Sequence, residues 1–101
     1  MARQKMLTEA ILKKVPALYS QDGKGMDAIA YAKFFNPCGS QSWFMSEYDP
    51  ETGLAFGYVT GTPFPELGYF SLDELAEIRL PMGLYIERDI HFTPKPLKDC
   101  S

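Results

Sequence analysis

Two runs rich in aromatic and β-branched residues, Ser42–Tyr48 (SWFMSEY) and Leu54–Thr60 (LAFGYVT), are separated only by Asp49-Pro50-Glu51-Thr52-Gly53. Such residues suit a pleated, half-buried surface. A connection this short, carrying Pro and Gly, reverses the chain at once, so the two runs pair as an antiparallel hairpin. A parallel pair would need a crossover of about a dozen residues or more. The centre of the chain is therefore antiparallel sheet, and the remaining segments must build onto it.

Before the hairpin, Thr8 precedes Glu9–Val15. A Thr N-cap, an acid in the first turn and Lys13 and Lys14 in the last turn predict a short helix that Pro16 ends. Leu7, Ile11, Leu12 and Val15 form its apolar stripe. Residues 20–27 (SQDGKGMD) read as a flexible loop. Its Gly23-Lys24-Gly25 lacks both the Walker spacing and a following helix, so a phosphate-binding loop is not expected. Ala28–Phe35 (AIAYAKFF) reads as a strand. After the hairpin, Glu66–Phe70 reads as a short extended piece. Ser71-Leu72-Asp73-Glu74 fits a capping box, with Phe70 and Leu75 as its hydrophobic staple, and predicts a helix from Leu72 to about Arg79. Ile86–Phe92 reads as the last strand, and the tail TPKPLKDCS as a surface segment. The expectation is a single α+β domain over residues 1–101, with flexible ends at about 1–5 and 97–101. Its small antiparallel sheet has four to five strands, with two short helices packed on one side.

Composition narrows the function. The 101 residues are 46% hydrophobic and 23% charged, as in ordinary globular domains, which excludes a disordered tail or a collagen-like repeat. Residues 1–33 carry six bases and three acids, and residues 34–101 four bases and ten acids. A mainly acidic body makes nucleic acid an unlikely partner, since that binding draws on Lys and Arg neutralising phosphates. Cys38 and Cys100 form no CxxC and have no His at ligand spacing, so no zinc site and no cofactor are expected. No signal peptide and no run of about 18 apolar residues is visible, so the expected place is the cytoplasm, away from membranes.

Several stretches resemble a known family: Leu18-Tyr19-Ser20-Gln21, Lys33-Phe34-Phe35, Trp43 with Glu47-Tyr48-Asp49-Pro50, Phe56-Gly57-Tyr58-Val59, Glu66 through Leu75, Gly83-Leu84 with Ile86-Glu87-Arg88-Asp89, and Phe92-x-Pro94-Lys95-Pro96. Together, over about residues 6 to 97, they resemble domain of unknown function family 2958, small bacterial proteins of plasmids, phages and integrated elements. The resemblance implies a mobile-element, cytoplasmic setting. It implies no activity and no catalytic residue.

Three constellations are candidates for chemistry or binding. Alternation along Ile86–Phe92 puts Glu87, Asp89 and His91 on one face, a set able to hold a divalent metal in a small hydrolase or nuclease. The competing account is the wet face of an antiparallel strand. A Cys38–His91 dyad has no local support. Arg88 interrupts the opposite, apolar face, and Glu47 ends the apolar row of Trp43 and Met45. Two such charges predict a buried Glu47–Arg88 ion pair, or else a pocket floor for a polar ligand. Finally, eight rings lie between Trp43 and Phe70, on both faces of the hairpin. Trp43, Tyr48, Tyr58 and Tyr69, with Arg88, are the candidate binding residues. Exposed rings mark a protein partner, a homodimer contact or a base-stacking platform. The acids Glu47, Asp49 and Glu51 favour a protein partner over single-stranded nucleic acid. The resulting expectation is a non-enzymatic protein-interaction module of a mobile element, regulatory or anti-defence in role.

Overall fold

The computed structural model describes residues 6–100, and residues 1–5 and 101 lie outside the described residues. The hairpin forms as its sequence demands, from β3 (Ser42–Asp49) and β4 (Leu54–Thr60), the third and fourth of seven short strands among the described residues. Asp49 organises the turn: its carboxylate accepts from the Glu51 N–H and the Thr52 hydroxyl, both at 3.0 Å. Gly53 closes the turn at φ +76°, a conformation that costs a residue with a Cβ. Around the hairpin stand β1 (Ile29–Ala30), β2 (Ala32–Phe35), β5 (Glu66–Ser71), β6 (Glu87–Arg88) and β7 (Lys95–Pro96). The main sheet is antiparallel in the order β5-β4-β3-β2-β6, and β1 pairs with β7 in a second, two-stranded sheet.

Two short helices, α1 (Glu9–Lys14) and α2 (Leu72–Glu77), lie against one face of the main sheet. The Thr8 hydroxyl caps α1 by accepting from the Ile11 N–H at 3.2 Å, and the Ser71 hydroxyl caps α2 by accepting from the Glu74 N–H at 3.2 Å. This helical face holds the larger core: Phe34, Trp43, Met45, Leu72, Leu75 and Ile86, with Ile11, Val15 and Phe70 partly buried at its rim. On the opposite face, Phe44 is buried among Ala28, Ala30, Leu97 and Cys100, so the two-stranded sheet and the carboxyl end cover part of the main sheet. Both faces are thus packed, and the uncovered remainder of the second face is where the candidate site lies.

Four expectations change. The strand expected over Ala28–Phe35 breaks at Tyr31, because its halves pair in different sheets. The strand expected over Ile86–Phe92 stops at Arg88: the Phe92 N–H turns back onto the Asp89 carbonyl, and the Asp89 carboxylate takes the His91 N–H at 2.9 Å. The tail is not a loose surface segment, for Leu97 is fully buried and the Leu97 N–H donates to the Ala28 carbonyl at 2.8 Å. The flexible end expected from residue 97 therefore does not hold for Leu97–Cys100.

The fourth change is the Glu47–Arg88 pair. Glu47 is buried as predicted, at 2% exposure. However, Met45 pairs with Gly57 and Glu47 with Phe56, leaving Ser46 as the extra residue of a β-bulge. A bulge reverses side-chain parity beyond it. Glu47 therefore shares its face with Phe56, away from Trp43 and Met45, while Arg88 opposes Phe34 on the helical face. Glu47 also lies roughly 10–13 Å further along β3 than the rung that Arg88 shares. The two charges are on opposite faces and do not pair.

Candidate functional site

The site is built on Glu47. One carboxylate oxygen accepts from the Tyr19 N–H at 2.8 Å and the other from the Gln21 N–H at 2.7 Å. Short bonds to an ionised acceptor are the stronger kind. They hold the loop that precedes β1 against the bulge, with Tyr19 at φ +72°, a conformation that disfavours side chains. Gln21, also buried, completes the anchor. Its amide nitrogen donates to the carbonyls of Ile29 (3.0 Å) and Ser46 (2.8 Å), and its amide oxygen accepts from the Ile29 N–H (2.8 Å). The Ser46 hydroxyl in turn donates to the Phe56 carbonyl at 3.0 Å. The stretch whose composition predicts a loose loop is thus tied to the sheet by buried polar bonds.

Between this loop and the β4–β5 hairpin runs a groove of about 330 Å3, lined by Asp22, Ser46, Glu47, Phe56 and Leu67 among others. The register puts Phe56, Leu67 and Tyr69 on this same face. The Phe56 and Tyr69 rings meet edge to face, with centroids 4.8 Å apart. Tyr19 is 61% exposed and Tyr69 51%. Burial first, and then the neighbouring Tyr19 and the charges of Asp22 and Glu47, push the Tyr69 phenol up. The lining contains two carboxylates and no Lys or Arg. The groove is thus aromatic, partly apolar and negative.

Of the residues singled out from sequence, Tyr69 lies on this open surface. Trp43 is buried in the helical-face core. Tyr48 is half-buried at the edge of that core, and burial, then Asp73 and Asp49, push its phenol up. Tyr58 packs against the second core. Arg88 lines a separate cleft of about 210 Å3 on the helical face, beside Thr8, Ile11 and Tyr31. The metal set is not gathered: Glu87 lies on β6, Asp89 and His91 lie in the turn beyond it, and no three His, Cys, Asp or Glu side chains among the described residues could hold an ion together. Cys38 is exposed in the β2–β3 turn beyond Phe35, whereas the chain past Arg88 runs the other way along β2, with the Asp89 N–H on the Lys33 carbonyl, so Cys38 and His91 form no dyad. Tyr19, Gln21 and Phe56 belong to the site without having been predicted. The signal for Gln21 was slight, since it is one of five polar residues in a glycine-bearing loop.

Fold and site together define a small α+β module: an antiparallel sheet packed on both faces, with an aromatic, acidic groove clamped by one buried glutamate. Among the described residues no helix is long and apolar enough to cross a membrane. The chain belongs to the family described as "Protein of unknown function (DUF2958)", whose model matches residues 4–98. No curated protein and no solved structure matches it.

Proposed function

We propose that the protein is a non-enzymatic interaction module that receives a protein partner in the groove between the Tyr19–Asp27 loop and the β4–β5 hairpin. The observation that carries this is the clamp on Tyr19. Two short hydrogen bonds donated to a buried carboxylate hold a positive-φ residue in place, and its ring stands exposed beside that of Tyr69. Backbone strain is kept where surrounding structure over-determines it, and such places cluster at binding and active sites. Partly exposed tyrosines are favoured at interfaces because they offer large, stiff contact area with a polar tip. The resemblance noted in the sequence supports a mobile-element, cytoplasmic setting for that partner. The metal-dependent reading has no gathered ligand set behind it, and the acidic groove does not favour single-stranded nucleic acid.

A photo-crosslinking residue placed at Tyr69 tests this in host cells. It is expected to capture a distinct protein that the same residue at Met82, which is 96% exposed and does not line the groove, does not. Tyr19→Ala should abolish that capture while leaving the fold intact. Equal capture at both positions would sink the proposal.

A further inference from the structure

We propose, building on the interaction reading above, that the partner binds as an extended lysine- or arginine-bearing segment that adds a strand to the free edge of β5. The main sheet has two edges, β6 and β5. β6 is a two-residue strand, whereas β5 offers six. The hydrogen-bond phase of β5 follows from its register. The Leu72 N–H donates to the Gly53 carbonyl at 2.9 Å, and Ser71 opposes Leu54, so bonded rungs alternate from Leu72 through Phe70, Gly68 and Glu66. The N–H and C=O groups of Leu67 and Tyr69 therefore point away from β4. Among the described residues, no backbone bond outside the ladder engages either residue.

Those same two residues place their side chains on the groove face, exposed at 36% and 51%. A strand added here would lay alternate side chains directly beside Leu67 and Tyr69, with the Phe56 ring one strand further in. Edges are commonly blocked by Lys, Pro or a bulge. β5 contains none of these: Pro63 and Pro65 precede it, and a Cβ added at Gly68 would meet nothing within 4 Å. The charge of the incoming strand follows from Asp22 in the groove lining, from exposed Glu66 on β5 itself and from exposed ring faces, which attract cations. A second copy of this chain would bring the same carboxylates to the seam, which argues against self-pairing. Strand addition joins main-chain hydrogen bonds to side-chain pockets on alternate residues.

The test is a selection of displayed random octapeptides on the full chain, followed by amide exchange with the best binder as a synthetic peptide. Lys or Arg should be enriched at every second position. The Leu67 and Tyr69 amides should exchange at least about tenfold more slowly in the complex, one outward hydrogen bond's worth, while Gly68 and Phe70 change little. Leu67→Pro removes an outward donor without touching the β4 ladder, and should weaken binding about tenfold more than Leu67→Ala. The exchange measurement needs no variant, so a Pro variant that fails to fold does not decide the matter. Ring shifts at Phe56 and Tyr69 without amide protection overturn strand addition but leave the interaction reading standing. Selected peptides poor in Lys and Arg overturn the charge assignment, and selection of no peptide overturns the inference, whereas loss of Tyr69-specific crosslinking would strike the interaction reading itself. Protection of Leu67 and Tyr69 that rises with protein concentration alone assigns the edge to a second copy and overturns the proposal.

Discussion

Glu47 shows how a single residue can be half legible. A carboxylate in an apolar row has to be buried with partners, and the sequence alone supports that much. The partner was not legible, because the bulge at Ser46 reverses the face on which every later side chain of β3 falls. Alternation carries no trace of a bulge, so parity alone points to Arg88 as the counter-charge. The actual partners are two backbone N–H groups some 26 and 28 residues away, which no side-chain pattern records. Glu47→Gln would turn an amide NH2 toward one of those donors and leave it unpaired, so stability should fall by about 1–3 kcal/mol. Urea unfolding checks this, and the Tyr19 ring resonances should broaden or shift in the variant. The two cysteines offer a second residue-scale prediction. Cys38 is exposed, whereas Cys100 is buried and burial pushes its thiol up. Iodoacetamide under native conditions should therefore modify Cys38 and spare Cys100 until the chain unfolds, as counted by mass spectrometry. The raised folded-state pKa of Cys100 also fixes a sign. Its contribution to stability is fully present below the ordinary thiol range, about pH 8.5, and is lost as pH rises through the higher folded value. A Cys100→Ala variant should accordingly show a shallower alkaline loss of stability than the parent chain.

At the scale of elements, what was legible was local. Both N-caps, the hairpin and the punctuation by Pro16 and Gly53 are decided within a few residues, and all stand in the structure. The Ser71 cap gives a direct test. Its hydroxyl serves the Glu74 N–H at the start of a six-residue helix, and Leu72 and Leu75 of that helix are buried in the larger core. Ser71→Ala should cost about 0.5–2 kcal/mol, seen as a lower urea midpoint with an unchanged slope. Elements defined by distant partners were not legible. AIAYAKFF reads as one strand because its composition is uniform, yet β1 pairs with β7 some 65 residues later and β2 pairs with β3 and β6. Gly57 marks the same kind of distant constraint. A Cβ there would sit 1.7 Å from the Phe44 carbonyl oxygen, which is backbone and unable to swing aside. The glycine looks like an ordinary interruption of LAFGYVT until the closeness of the neighbouring strand beside the bulge is known.

For the whole molecule, the decisive feature is a sheet covered on both faces by different means. Helices supply one cover, and a two-stranded sheet with the carboxyl end supplies part of the other. A chain this small buries only a little over 60% of its unfolded surface, so a second core cannot be ornamental. The sequence suggested helices on one side but gave the second cover no signal, because the tail's two prolines and its position argued for a loose end. Leu97 is the test of that arrangement. It is fully buried between Ala28, Ala30 and Phe44, on a segment joined to the rest by the Leu97–Ala28 backbone bond. Leu97→Ala should lower stability by about 2–5 kcal/mol, whereas Phe64→Ser, at a ring 81% exposed, should change it by less than about 0.5 kcal/mol. Amide exchange in the Leu97 variant should rise first across β1, β7 and the Phe44 face, because the helical-face core keeps its own contacts. The groove sits on the same face as this second core and shares β1 with it, because Gln21 bonds both backbone groups of Ile29. Tyr19 and Tyr69 should therefore lose their native resonances together with the protection of the β1 amides; if those resonances survive the loosening of β1, Glu47 alone holds the groove and the two regions are not one cooperative unit.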